Sequence, residues 1–479
     1  MQTPTSQPST GYMGAAQHLP TPRVLWRVFA VLFFGAFANA LLPSGTMIIG
    51  GLLVVHALRG PRQSVEALTV LGVLLMMNRI FIRGDISMLR WVILFAATGR
   101  MAWDSVIKSA RWPRIIWPLF LFVGVVLVLT ALTSRLPAVS LLKIVSFTVG
   151  ATTVLVSMYR TQHLRPYWTS WFFTVGLVVL VLSMLLYPTS LGFMVNGTSF
   201  QGILTHPQTT GIFAALFAAF STGLLHFDRH RTTPVWAMAG MSWFVLFMSL
   251  SRTAALAAAL GLGGVLAIRY LTGKWKQRKA YQGIDVLPWL AGLMVVTVLV
   301  WKGPAIGNRI TDFLLKDDSA VSVTESLQQS RMGLIQRSMD NFWQYPLTGI
   351  GFGVPSNENL DRVETGALGL PVGASTEKGF LPAAVLEETG VVGFVLWVTL
   401  IAMLFRITYR QGTATQFWVL AVCILVNAGE AIFFAIGGNG LFMWLLIGFA
   451  LLPPAQHPPP GPPPPLRRRP NRRSHARIR

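Results

Sequence analysis

The chain has 479 residues, of which 53% are hydrophobic and only 12% charged, with a mean hydropathy of +0.56. A water-soluble globule does not carry that balance, so the solvent of this fold is a lipid bilayer. The net charge of +22 raises nucleic acid as a partner, but the 39 basic residues cluster between apolar segments, so no nucleic acid is expected.

A helix needs about 20 mostly apolar residues to cross roughly 30 Å of hydrocarbon. Residues 1–22 are polar and rich in Pro, Ser and Thr, and read as a disordered lead-in on the cytoplasmic side. Apolar segments then predict spans near 24–42, 45–58, 65–82, 88–106, 115–133, 137–159, 169–189, 209–227, 234–250, 252–271 and 286–303, which makes residues 23–303 a membrane unit. Residues 304–388 form one long excursion, and loops of that length are usually functional. From 304 to 379 it carries six basic and nine acidic side chains, so it reads as a mixed polar loop domain. Within it, residues 330 to 344 have helical apolar spacing that stops at Pro346, and a second helix is predicted from near Lys378 and Gly379. Spans near 389–408, 414–434 and 437–454 complete a C-terminal membrane unit over 389–454, and residues 455–479 form a Pro/Arg-rich cytoplasmic tail. The expected fold class is therefore an all-α polytopic membrane protein with roughly 12–14 transmembrane helices and one long extracytoplasmic loop.

Charge orients these spans. Arg59 and Arg62; Lys108, Arg111 and Arg114; Arg160 and Arg165; Arg229 and Arg231; Lys274 to Lys279; and Arg406 and Arg410 all fall in alternate connections, the positive-inside pattern. Both termini are then cytoplasmic and the long loop is not. Arg79, Arg83 and Arg90 disobey, falling on the opposite side. The single cysteine, Cys423, lies within an apolar segment, and the histidines show no metal-ligand spacing. There is no GxxxxGK[ST] phosphate loop. No cofactor and no metal is expected.

Four features share the non-cytoplasmic side. Ser251-Arg252-Thr253 puts a cation at the boundary of an apolar small-residue helix, which points to an anionic partner or to an arginine reaching for headgroups. The loop from Gly202 to Gln208 carries His206, which either moves a proton or caps the next span. Arg331 heads the predicted loop helix, and two outer arginines can clamp a diphosphate, although an ion pair with the loop's carboxylates is the alternative. The glycine run Pro346 to Gly353 reads as a tight turn. Lastly, Glu377-Lys378-Gly379 and Glu387-Glu388-Thr389-Gly390 bring carboxylates to a low-dielectric boundary, as general bases or as lysine-paired structural groups. Asn427, Glu430 and Asn439 read as hydrogen-bonding groups between the last spans.

In order and sidedness, these motifs resemble the O-antigen ligase and O-antigen/exopolysaccharide polymerase superfamily over roughly residues 170 to 450. The resemblance implies a GT-C-like, metal-independent glycosyltransferase of the bacterial inner membrane, active on its extracytoplasmic face. Its donor would be a glycan on a polyprenyl diphosphate, usually undecaprenyl diphosphate, and its acceptor another glycan or lipid A-core, with a chain-length regulator as a possible partner. By that resemblance Arg252 and Arg331 bind the diphosphate and a residue in the second half of the long loop assists the acceptor; in this chain Glu377 or His206 is the expected base, with Lys378 and Glu388 in support. The ligases carry a His-Asn pair just before the Glu-x-Gly motif, whereas this chain reads Glu377-Lys378-Gly379 there and has no histidine in 304–388. That difference favours a polymerase over a ligase. A multi-span transporter or a non-catalytic scaffold are the readings from other classes; inverted repeats, expected of many transporters, are not evident.

Overall fold

The computed structural model describes residues 23, 24, 27, 30, 45–82, 86–107, 112–275, 333–356, 363–365, 371–374 and 378–453. The span expected at 286–303, Arg331 and Glu377 lie outside the described residues, as does almost all of 24–42.

Among the described residues the chain forms thirteen α-helices. They are α1 (Gly45–Leu58), α2 (Pro61–Met76), α3 (Ser87–Ile107), α4 (Ile116–Thr133), α5 (Pro137–Arg160), α6 (Arg165–Leu185), α7 (Pro207–His226), α8 (Thr233–Met248), α9 (Arg252–Thr272), α10 (Gly333–Gln344), α11 (Leu381–Gln411), α12 (Ala414–Leu425) and α13 (Gly438–Ala450). Proline in the first turn opens α2, α5, α6, α7, α8 and α11, where its fixed φ suits the helix and its missing N–H costs nothing. Thr413 and Gln416 form a reciprocal capping box that starts α12. Among the described residues the chain also forms a short antiparallel hairpin, β1 (Val363–Thr365) with β2 (Pro371–Ala374).

Among the described residues six helices, α4, α5, α6, α7, α9 and α11, are long and apolar enough to cross a membrane, and α1, α8, α12 and α13 are shorter apolar helices. This is a polytopic membrane architecture. α2, α7, α12 and α13 make its centre and are buried along most of their length. α4, α9 and α11 are peripheral and expose rows of Leu and Val, the faces a bilayer covers. Where polar groups enter the interior they tie helices together: Trp418 Nε1 donates to Ala258 O at 2.9 Å, and Thr98 and Thr153 share a hydrogen bond of 2.8 Å between α3 and α5.

Contacts sort the connections onto two ends. At one, Arg62 and Tyr167 meet on Glu66, Arg160 reaches Met101 O, and Trp275 Nε1 donates to Gly412 O. This end carries the basic connections. At the other end, Met77 bridges Leu204, Arg135 N donates to Ile350 O, and Lys143 Nζ donates to Gly353 O. All the motifs singled out in the sequence that fall on described residues lie toward this second end.

The last two helices differ from expectation. Both start where expected but end early: against spans at 414–434 and 437–454, α12 stops at Leu425 and α13 at Ala450, and a largely non-helical segment separates them. Asn427 holds that segment in shape. Its Oδ1 accepts from Ile432 N (3.0 Å) and Phe433 N (2.8 Å) while its Nδ2 donates to Cys423 O (2.8 Å), and Trp444 Nε1 donates to Phe433 O at 2.7 Å. Irregular backbone among membrane helices persists only where protein buries it or where it lines a cavity. Both hold here, as Phe433 is fully buried and residues 431–438 supply much of a cavity wall.

Candidate functional site

The site is built by two backbones pressed together. The segment Pro346–Gly353 lies along residues 387–391 of α11, with Ile350 N donating to Glu387 O (2.9 Å), Gly351 N to Glu388 O (3.1 Å) and Val391 N to Pro346 O (2.9 Å). Glycine is required at this contact. A Cβ on Gly349 would lie 2.4 Å from the Glu388 carbonyl carbon, and one on Gly390 2.3 Å from that of Leu347. Gly390 also has φ 61 and ψ −170, a region other residues scarcely enter, and it breaks α11. A straight helix of 31 residues would be about 46 Å long, more than the roughly 30 Å of hydrocarbon. The break at Gly390 sets the first turns of α11 apart from the rest. Gly390→Ala is expected to destabilise the protein by about 1–3 kcal/mol through backbone strain alone, read as a lower thermal midpoint of the detergent-solubilised chain, with the Leu347 overlap adding to it.

Adjacent glutamates on that first segment of α11 point to different places. Glu387, fully buried, accepts from Asn341 Nδ2 (2.7 Å), Ser356 Oγ (3.0 Å) and Lys378 Nζ (2.8 Å), so one carboxylate ties α10 and the chain just past the glycine segment to α11 and the residues that lead into it. Glu388 turns to the other side. Its Oε2 accepts from Gly353 N at 2.8 Å and its Oε1 lies 3.4 Å from Lys378 Nζ. Lys378 therefore bridges both carboxylates.

Glu388 and Lys378 open into a cavity of about 560 Å³. Its walls come from the second-end termini of α2 (Leu75), α3 (Arg90, Trp91) and α5 (Val139, Lys143), from Phe352 and Gly353, and from the irregular 431–438 segment. Among the lining side chains three are basic, Arg90, Lys143 and Lys378, and one is acidic, Glu388. An anion entering it meets an excess of positive charge in a partly dehydrated place, where each interaction is stronger than in water. Beside those cations stands a carboxylate able to accept a proton. The arrangement suits a reaction that separates an anionic leaving group and moves a proton.

Lys378 and Glu388 thus meet in one site, and Arg252 and His206 do not line it. Arg252 is the first residue of α9, and Ser251 beside it rests on Gly211 in the first turns of α7. His206 caps the N-terminus of α7, its Nδ1 accepting from Gln208 N at 3.2 Å. Both belong to the same end of the bundle, and Thr205 N donates to Met76 O at 2.8 Å, next to the cavity-lining Leu75. Sequence reading missed Lys143, a basic residue two turns into an apolar helix on the side that should be poor in them, which is the signal that marks it. Arg90 had given that signal as an exception to positive-inside charge. Its place on the cavity wall explains the exception.

Fold and site together define a polytopic helical membrane protein with a cation-rich cavity at the end opposite its basic connections. Residues 236–398, about a third of the chain, match the model of a family described as O-antigen ligase. That segment contains Arg252, Lys378, Glu387 and Glu388, whereas Arg90, Lys143 and His206 precede it. No curated protein sequence matches the chain.

Proposed function

We propose that this protein is a polymerase that joins polyprenyl-diphosphate-linked oligosaccharide units into surface polysaccharide on the outer side of the bacterial inner membrane. The observation that carries the reading is the cavity wall on which Arg90, Lys143 and Lys378 stand beside the Glu388 carboxylate. In the reaction, the diphosphate of the donor lies against the cations while the acceptor hydroxyl is presented to the base. The hydroxyl oxygen bonds to the anomeric carbon, the bond from that carbon to the diphosphate oxygen breaks, and the hydroxyl proton passes to a carboxylate. Guanidinium and ammonium groups stabilise the charge that collects on the leaving diphosphate. One direct displacement inverts the anomeric configuration. Glu388 is the base best supported by position, with Glu377 and His206 as alternatives, and Arg252, which does not line this cavity, and Arg331 are the diphosphate-binding arginines that the family resemblance implies.

The absence of histidine from 304–388 supports a polymerase, and the family description, O-antigen ligase, supports transfer to lipid A-core as the second reading. The two separate in one experiment. Purified protein in liposomes is given a lipid-linked repeat unit with lipid A-core as competing acceptor. Longer lipid-linked chains are expected. Glycan on lipid A-core instead makes the protein a ligase, and turnover of neither acceptor returns the transporter reading.

A further inference from the structure

Helix α10 changes character along its length. Its exposed residues are first polar, Gln336, Arg337 and Asp340, and from the last turn onward, Gln344 apart, apolar or aromatic. Trp343 is 71% exposed, Tyr345 44% and Leu347 65%. The opposite face of the helix is committed to the protein, with Ser338 and Phe342 buried and Asn341 bonded to Glu387. Three large side chains left outside a polar loop need a covering.

What lies below them says what the covering is. Pro346 O accepts from Val391 N, so this edge stands directly over α11 at the point where its row of exposed valines begins: Val391, Val392, Val395 and Val398. α4 packs beside α11 and exposes Leu132 in its own last turn. Arg135, two residues past the end of α4, stands 6.0 Å from the Tyr345 ring. The exposed edge is continuous with a lipid-facing wall, and aromatic rings with an arginine at its margin are what the boundary of a bilayer favours.

We propose that the segment Trp343–Leu347 is a membrane-interface anchor, with Trp343, Tyr345 and Leu347 set among the lipid headgroups and upper acyl chains while Gln336 and Arg337 stay in water. The anchor is independent of the glycan-transfer reading, because it rests on the bilayer alone. Its consequence for the site is mechanical: α10 holds Asn341 on Glu387, so the lipid surface fixes the height of the loop against α11.

The test uses the full chain in liposomes, with one nitroxide at a time on a cysteine introduced by Gln336→Cys, Trp343→Cys or Leu347→Cys; the native Cys423 is buried. Collision with oxygen, which concentrates in lipid, is compared with collision with a water-soluble nickel chelate. The ratio is expected to reverse along the helix, nickel dominating at 336 and oxygen at 343 and 347. Because Leu347 lies outside the helix and its side chain is 65% exposed, its variant guards against a misfolded Trp343→Cys. Nickel dominating at 347 as at 336 overturns the anchor.

Discussion

Glu388→Gln is expected to lower the rate of chain elongation by about 10²–10⁴-fold, the usual contribution of a positioned general base. The substitution is chosen because it removes little else. A glutamine carbonyl still accepts from Gly353 N, and Lys378 keeps its partner Glu387, so the wall that holds position 388 stands. The loss should appear in kcat, with the affinity for the lipid-linked donor nearly unchanged, and the acidic limb of the pH–rate profile, which reports protonation of the base, should disappear with it. Elongation by Glu388→Gln at more than half the native rate would exclude Glu388 as base. His206→Gln and Glu377→Gln, assayed alongside, show which alternative then carries the loss.

The fold class was legible because apolar length and basic connections are one-dimensional properties, written directly along the chain. The same rule flagged a residue of the site without identifying it as one. Arg90 stood out as a cation on the wrong side, and it lines the cavity. Other parts depend on direction, which one dimension does not contain. Glu387 and Glu388 are neighbours about 100° apart around a helix, so one enters a buried hub and the other a cavity, and their sequence context hardly distinguishes them. Asn427 read as a link between two long spans because its flanks are apolar enough to continue a helix. Its side chain instead takes the backbone N–H groups of Ile432 and Phe433, and that competition with the helix creates the cavity's floor.

The glycine segment shows why a tight turn and a functional element need not be alternatives. Gly349, Gly351 and Gly353 all have positive φ, so the backbone turns; the missing Cβ of Gly349 lets it come within hydrogen-bonding distance of α11, and those of Gly351 and Gly353 leave room for Ser134 and Lys143. Through that approach Gly353 N reaches the Glu388 carboxylate. A motif that resembles a phosphate cradle in composition here orients an acid.

Lys378→Met is expected to destabilise the protein by about 3–5 kcal/mol, the cost of leaving a buried charge without its partner. Lys378 and Glu387 are 3% and 0% exposed at their side chains and 2.8 Å apart, so water does not replace the missing ammonium. Asn341 and Ser356 still donate to Glu387, which keeps the loss within that range. The pair's own worth is a separate quantity, because two charges taken from water recover little more than they lose. Adding Glu387→Gln to Lys378→Met removes the orphaned charge while its carbonyl oxygen still accepts from Asn341 and its amide N–H donates to the Ser356 hydroxyl, and should restore most of the stability, as read by thermal unfolding in detergent. Activity should not return with it, since Lys378 also lies 3.4 Å from Glu388 Oε1 on the cavity wall. Recovery of both together would make Lys378 a structural cation alone and leave the diphosphate to Arg90 and Lys143.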